Sequence, residues 1–118
     1  MVKLIVAIRR KQGLSQKDFH EHWGTQHATL VKSCLASKRY LRKYVQCHTL
    51  DEEYSAGEPA FDGTAELWFE SVTDKESFFS DPDYLSQVKP DESRFSDMSR
   101  TLFCLTQEKP IIRRYRGQ

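Results

Sequence analysis

Residues 15–36, "SQKDFHEHWGTQHATLVKSCLA", decide how the chain is read. Apolar residues recur here at three- and four-residue intervals, the period of a helix with one buried face. At about 100° per residue, Phe19, Leu30, Trp23, Cys34, His27, His20 and Val31 fall in that order within roughly a third of a turn, and His22 falls outside it. Ser15 is a good N-cap, and Asp18 three residues on gives a weaker form of the capping box. Gly24 costs a helix interior roughly 1 kcal/mol relative to alanine, which points to close packing or a local kink. The stripe meant for the core thus carries two imidazoles. A buried imidazole needs a hydrogen-bond partner or a wet cavity.

Outward from this helix, 2–9 alternates and is rich in β-branched residues, which predicts a first strand followed by a turn at "RKQGLS". Residues 40–50, "YLRKYVQCHTL", predict a second strand. The acidic stretch 51–62, "DEEYSAGEPAFD", is broken by Gly57 and Pro59 and predicts a long loop, of a length that is often functional. A third strand follows at 63–71. Thr73 or Asp74 then caps a helix containing "KESFFSDPDYLSQV", interrupted at Asp81-Pro82 because proline disfavours helix at the residue before it. A further helical stretch starts at Asp91, 98–107 closes with "TLFCLTQ" as a fourth strand, and 108–118 is a basic tail. The order β-α-β-β-α-β is that of an α+β, ferredoxin-like fold with an antiparallel four-stranded sheet over 1–107. Two helices cover one face of such a sheet. The other face is not uniformly polar, and a symmetric homodimer would bury it.

A chain of 118 residues is long enough for one domain with one modest core. With 38% hydrophobic and 12% aromatic residues it has the composition of a folded domain. Three widely spaced cysteines, Cys34, Cys47 and Cys104, make neither a disulfide framework nor a structural zinc site. The short apolar run in "MVKLIVAIRRKQ" lacks a cleavage site, and no run reaches the length of a membrane span. These features predict a soluble, cytoplasmic protein that does not act at a membrane. Charge is uneven along the chain: 1–50 carries +8, 51–97 carries −11 and 98–118 carries +4. The basic arms therefore have an acidic partner within the chain, and a nucleic-acid-binding role is not expected.

His48 on the second strand is in phase with Tyr44 and Gln46. If that face meets the helix, His27, His48, Tyr44 and Gln46 converge on one set of donors and acceptors with a tunable pKa. The competing interpretation has His27 as a satisfied core histidine and His48 half exposed at a strand end. Glu66 and Glu70 read as solvent or interface charges, and Tyr84 as either a gate or a packing residue. A metal site from His20, His22 and His27 fails because His22 points away from the stripe and no carboxylate joins it.

The stretch "GLSQKDFHEHWGTQHATLV", followed by "RKYVQCH" and "AELWF", resembles the EthD-domain family of dimeric α+β barrel proteins, from about Leu4 to about Thr106. It is most similar to small fungal members tied to aromatic polyketide biosynthesis, including decarboxylases of the atrochrysone-carboxylic-acid type. The resemblance implies a cofactor-free acid-base pocket between helices and sheet, with His27, Tyr44 and His48 as its catalytic groups. Some muconolactone isomerases of the superfamily carry a cysteine where this chain has Leu67, so isomerisation of that kind is not implied. The expected activity is decarboxylation of an aromatic polyketide carboxylic acid. Trp23, His20, Phe19, Gln46, Trp68, Phe78, Phe79 and Tyr84 are the candidate substrate-binding residues, with no metal. A cyclase, dehydratase or isomerase of the same class, and a non-catalytic metabolite-binding module, are the alternatives.

Overall fold

The structure is a computed structural model and describes residues 1–114. Its four strands are β1 (Val2–Ile8), β2 (Leu41–His48), β3 (Gly63–Phe69) and β4 (Leu102–Thr106). They form one antiparallel sheet in the order β2-β3-β1-β4. This is the ferredoxin-like arrangement that the sequence pattern predicts. The basic tail expected at 108–118 leaves the sheet after β4, and its last four residues lie outside the described residues.

Alternation sorts the strand residues between two faces. Leu4, Val6, Ile8, Ala65, Leu67 and Phe69 are buried on the face that meets the helices. Tyr44, paired with Leu67, and Phe103, paired with Val6, share that face. The opposite face carries Lys3, Ile5, Val45, Glu66, Trp68 and Cys104, with the Trp68 ring between the ammonium groups of Lys3 and Lys43 at 4.9 and 4.6 Å. No helix covers this second face among the described residues.

The first helical segment is not the single helix expected over 15–36. It comprises α1 (Gln16–His22), a π-helical turn (Trp23–His27) and α2 (Ala28–Ser33). Cys34 then turns extended and α3 (Leu35–Tyr40) begins. Ser15 caps the start as expected, its hydroxyl accepting from the Asp18 amide at 3.0 Å. The π turn has a packing reason. Buried Phe19, Trp23, His27 and Val31 are spaced by four, which in a 3.6-residue helix advances the stripe by about 40° at each step. A wider turn in the middle resets the phase and keeps all four on the core.

The acidic loop contains one helical turn, α4 (Asp51–Tyr54). Beyond β3, α5 (Val72–Ser80) is capped by Ser71, two or three residues ahead of the expected Thr73 or Asp74. The break at Asp81-Pro82 is present: Asp81 is extended and caps α6 (Pro82–Gln87) by accepting from the Asp83 amide at 2.8 Å. The last helix, α7 (Lys89–Phe95), starts two residues before Asp91. It lies against the π turn, and a 3-10 turn (Met98–Arg100) leads from it into β4.

Candidate active site

Between the sheet and the helices lies a narrow cavity of about 70 Å³. Val6, Ile8, Ala65 and Leu67 form its floor, Trp23, Phe78, Phe79 and Phe95 its walls, and the half-exposed Met98 and Phe103 its rim. Its polar groups are few: His27, Tyr44, Tyr84, Glu92, Ser96 and Thr101. An apolar chamber with a small number of placed polar groups is the usual form of a small-molecule site.

His27, buried on the π turn, has a partner that the sequence did not disclose. Its Nδ1 lies 2.9 Å from Oδ2 of buried Asp91 on α7. The carboxylate is an acceptor, so Nδ1 carries the hydrogen and neutral His27 has its lone pair on Nε2. No described residue bonds Nε2, and the ring borders the cavity. Burial pushes the His27 pKa below the ordinary 6.5, and this outweighs the upward pull of Asp91. The group is a neutral base with a fixed tautomer. His22 was expected to point away, but its Nε2 reaches the same carboxylate at 2.9 and 3.0 Å, and its ring stacks on Phe95. The expectation failed because it was confined to one helix face, whereas α7 reaches around the π turn and presents Asp91 to both imidazoles.

A second acid faces the cavity from the residue after Asp91. Burial raises the pKa of Glu92, against a hydrogen bond from the Tyr84 hydroxyl at 2.6 Å that lowers it. Burial and the neighbouring Glu92 also hold the Tyr84 phenol well above its usual range. Tyr44 completes the polar set, its hydroxyl oxygen accepting from Gln46 Nε2 at 2.9 Å.

Of the residues singled out from the sequence, His27, Tyr44, Trp23, Phe78, Phe79 and Tyr84 border this cavity. Phe19 is fully buried behind it against Trp23 and Phe95. Trp68 faces the other side of the sheet, where its indole donates to Glu108 at 3.2 Å. His20, Gln46 and His48 do not border it either. The single convergence of His27, His48, Tyr44 and Gln46 is therefore divided in two. Trp23 stands between the halves, its ring 4.4 Å from that of His48 on the far side. That second group runs from Gln46 to His48, on to His20 and Tyr54, and ends at Asp62 beside Arg10. The sequence reading did not identify Asp91, Glu92, Tyr54 or Asp62 as site residues. The nearest signals were the start of a helical stretch at Asp91 and an acidic loop long enough to suggest function.

Fold and cavity together define a small ferredoxin-like protein with an imidazole–carboxylate pair set into an apolar chamber. Residues 11–99 match the EthD domain, and the chain belongs to that family, as the sequence resemblance implies. A relative named dehydratase aurZ, from Gibberella zeae, is 28% identical, the match covering 86% of this chain and 72% of the relative. One named decarboxylase nsrE, from Aspergillus novofumigatus, is 25% identical over 88% of this chain and 75% of its own. Among solved structures, an EthD-family protein from Bacillus halodurans superposes with a TM-score of 0.69 at 18% identity, covering 92% of this chain and 99% of that one. A dimeric ferredoxin-like protein from Thermobifida fusca gives 0.61 at 15% identity, covering 88% and 87%. SnoaB, a cofactor-independent oxygenase from Streptomyces nogalater, gives 0.60 at 9% identity, covering 94% and 95%. No described helix is long and apolar enough to cross a membrane.

Proposed function

We propose that the protein is a cofactor-independent lyase that decarboxylates an aromatic polyketide carboxylic acid, with His27 as its acid-base group. The observation that carries this is the position of His27: buried, neutral, held through Nδ1 by Asp91 and bordering an apolar cavity. A carboxylate β to a carbonyl loses CO₂ when the electron pair of the breaking C–C bond passes to the carbonyl oxygen as an enolate. Tyr44 serves as the hydrogen-bond donor to that oxygen. His27 takes a proton from a hydroxyl or water in the cavity and gives it to the carbon that lost CO₂. Phe78, Phe79 and Trp23 suit flat rings. The cavity as it stands is narrower than a multi-ring substrate, and the exposed Phe103 and Met98 at its rim are the side chains whose displacement would widen it.

A specific observation favours dehydration as the second reading. Burial raises the pKa of the Glu92 carboxyl and so favours its protonated form, and it borders the same cavity as a neutral imidazole. That pairing of acid and base is what elimination of water needs. The relatives named decarboxylase and dehydratase fit one reading each. Incubating the protein with an aromatic polyketide acid and following CO₂ release and product mass tests both. Loss of CO₂ supports the first, and loss of water with the carboxylate retained supports the second. Thermal stabilisation by the ligand without any product would show a binding module instead.

We also propose a homodimer joined through the uncovered sheet face, burying well over roughly 1,000 Å² in total. Its support is the apolar content of that face and the solved relatives described as dimeric. A stable monomer in light scattering across micromolar concentrations would overturn it.

A further inference from the structure

We infer that His20 and His48 hold one proton between them and, through Gln46, position the Tyr44 hydroxyl as a donor into the cavity. The inference rests on reading the cavity as the reaction site, and it comes from counting hydrogens along the second polar group. Gln46 Nε2 donates to the Trp23 carbonyl at 2.9 Å, which fixes the amide orientation, so Gln46 Oε1 is the atom facing His48 Nε2 at 2.8 Å. His48 Nε2 must therefore carry a hydrogen. At the other end the Tyr54 hydroxyl donates to Asp62 Oδ1 at 2.5 Å, so its oxygen accepts from His20 Nε2 at 3.1 Å, and that nitrogen carries a hydrogen too. The two Nδ1 atoms lie 2.7 Å apart, a contact that needs one hydrogen between them. Three hydrogens on two imidazoles make a monocation.

The charge has counter-charges close by. Asp62 and Asp51 favour the proton on His20, whereas Arg10, itself paired with Glu58 and Asp62, opposes it. Burial acts against the proton and pushes both pKa values down, joined by Arg10 at His20 and by the His20 ring at His48. The observed contact set exists only while the proton is held. Its loss leaves two lone pairs facing each other at the Nδ1 contact, or one facing Gln46 Oε1 or the Tyr54 oxygen. From His48 the donors all run one way: His48 to Gln46, Gln46 to the Tyr44 oxygen, and Tyr44 with its own hydrogen left for the cavity. A charge at the head of such a chain polarises each bond along it. Tyr44 thereby becomes a stronger donor to an oxygen on which negative charge develops.

The test labels histidine rings and the tyrosine Cζ carbon for NMR and follows them with pH in the intact protein. The expected result is one inflection below pH 6.5 at which His20, His48 and Tyr44 shift together. In His48→Gln, which keeps a donor for Gln46, the His20 and Tyr44 inflections separate. Independent titration of the two imidazoles, or a Tyr44 signal indifferent to both, overturns the inference. Stoichiometric binding of added zinc by the pair at neutral pH does the same, because the close nitrogens would then mark a metal site. With a turned-over substrate, kcat falls above the same inflection, and His48→Gln removes that limb while lowering kcat about tenfold with KM unchanged, less than loss of a donor itself. A limb that persists in Tyr44→Phe overturns the positioning role. The NMR outcome stands whether or not decarboxylation is found, so failure of the proposed reaction is distinguishable from failure of the proton pair.

Discussion

His27 and Asp91 meet at 2.9 Å across the contact between the π turn and α7, both buried, with the imidazole edge that Asp91 does not hold available to the cavity. The pair fixes which nitrogen of His27 is basic. His27→Asn keeps much of the size and some hydrogen bonding but cannot exchange a proton near neutral pH, and is expected to lower turnover by roughly 10²-fold or more. Asp91→Asn removes the charge that holds the tautomer and is expected to approach the same loss. Turnover per folded molecule, with circular dichroism on the same samples, checks both. Unchanged specific activity in His27→Asn removes it from the catalytic role.

Burial of His27 also predicts a pH dependence of stability. Its folded pKa lies below the 6.5 of an unfolded chain, so the folded state binds this proton less readily than the unfolded one. The stabilisation is complete above pH 6.5 and is lost as pH falls through the depressed folded value. Glu92 acts with the opposite sign, its raised pKa favouring the folded state below 4.5 and losing that effect as pH rises. The difference between proteins isolates the histidine: the Tm of wild type should fall more steeply than that of His27→Gln on acidification from pH 7. Parallel curves would show that His27 titrates alike in both states.

Two glycines separate close packing from helix propensity. A Cβ on Gly63 would sit 2.4 Å from Cζ3 of Trp23 and 2.8 Å from the Cys47 carbonyl oxygen, and neither a fully buried indole nor a strand backbone yields easily. Gly63→Ala should cost about 1–3 kcal/mol and disturb the cavity wall. On Gly24 the nearest atom is His48 Cε1 at 3.4 Å, ordinary contact, so Gly24→Ala should be neutral or gain up to about 1 kcal/mol. Urea unfolding of both variants gives the comparison.

The sequence carried the strand order because alternation and turn residues are local signals, and it carried Trp23, His27 and Tyr44 because each lies on a face whose period can be read. It did not carry the π turn, since four-residue spacing is compatible with a drifting α-helix until the core position of each residue is known. Asp91 and Glu92 were missed for a related reason. They are adjacent residues in a short polar helix with no apolar stripe to mark a buried face, and only its docking against the π turn makes one a partner for His27 and the other a wall of the cavity. His48 was legible as a neighbour of Tyr44 on the strand, but the indole that stands between its ring and the cavity comes from a different element.

Glu92 offers the sharpest discrimination between the two chemistries. Decarboxylation needs a donor near the enolate oxygen and one proton for carbon, and the proposed mechanism assigns these to Tyr44 and His27 without Glu92. Elimination of water needs an acid for the departing hydroxyl while a base takes the neighbouring proton, and Glu92, a carboxyl whose protonated form burial favours, borders the same cavity as His27. Glu92→Gln preserves the size and can still accept the 2.6 Å bond from Tyr84, but it has no proton to give. If the protein is a dehydratase, Glu92→Gln should lower formation of the dehydrated product by roughly 10²-fold. If it is a decarboxylase, CO₂ release should stay within a few-fold of wild type. Product mass and CO₂ measured on the same reaction, for wild type and variant side by side, decide between them, and a variant equally impaired in both products would show that Glu92 supports the cavity and not one reaction.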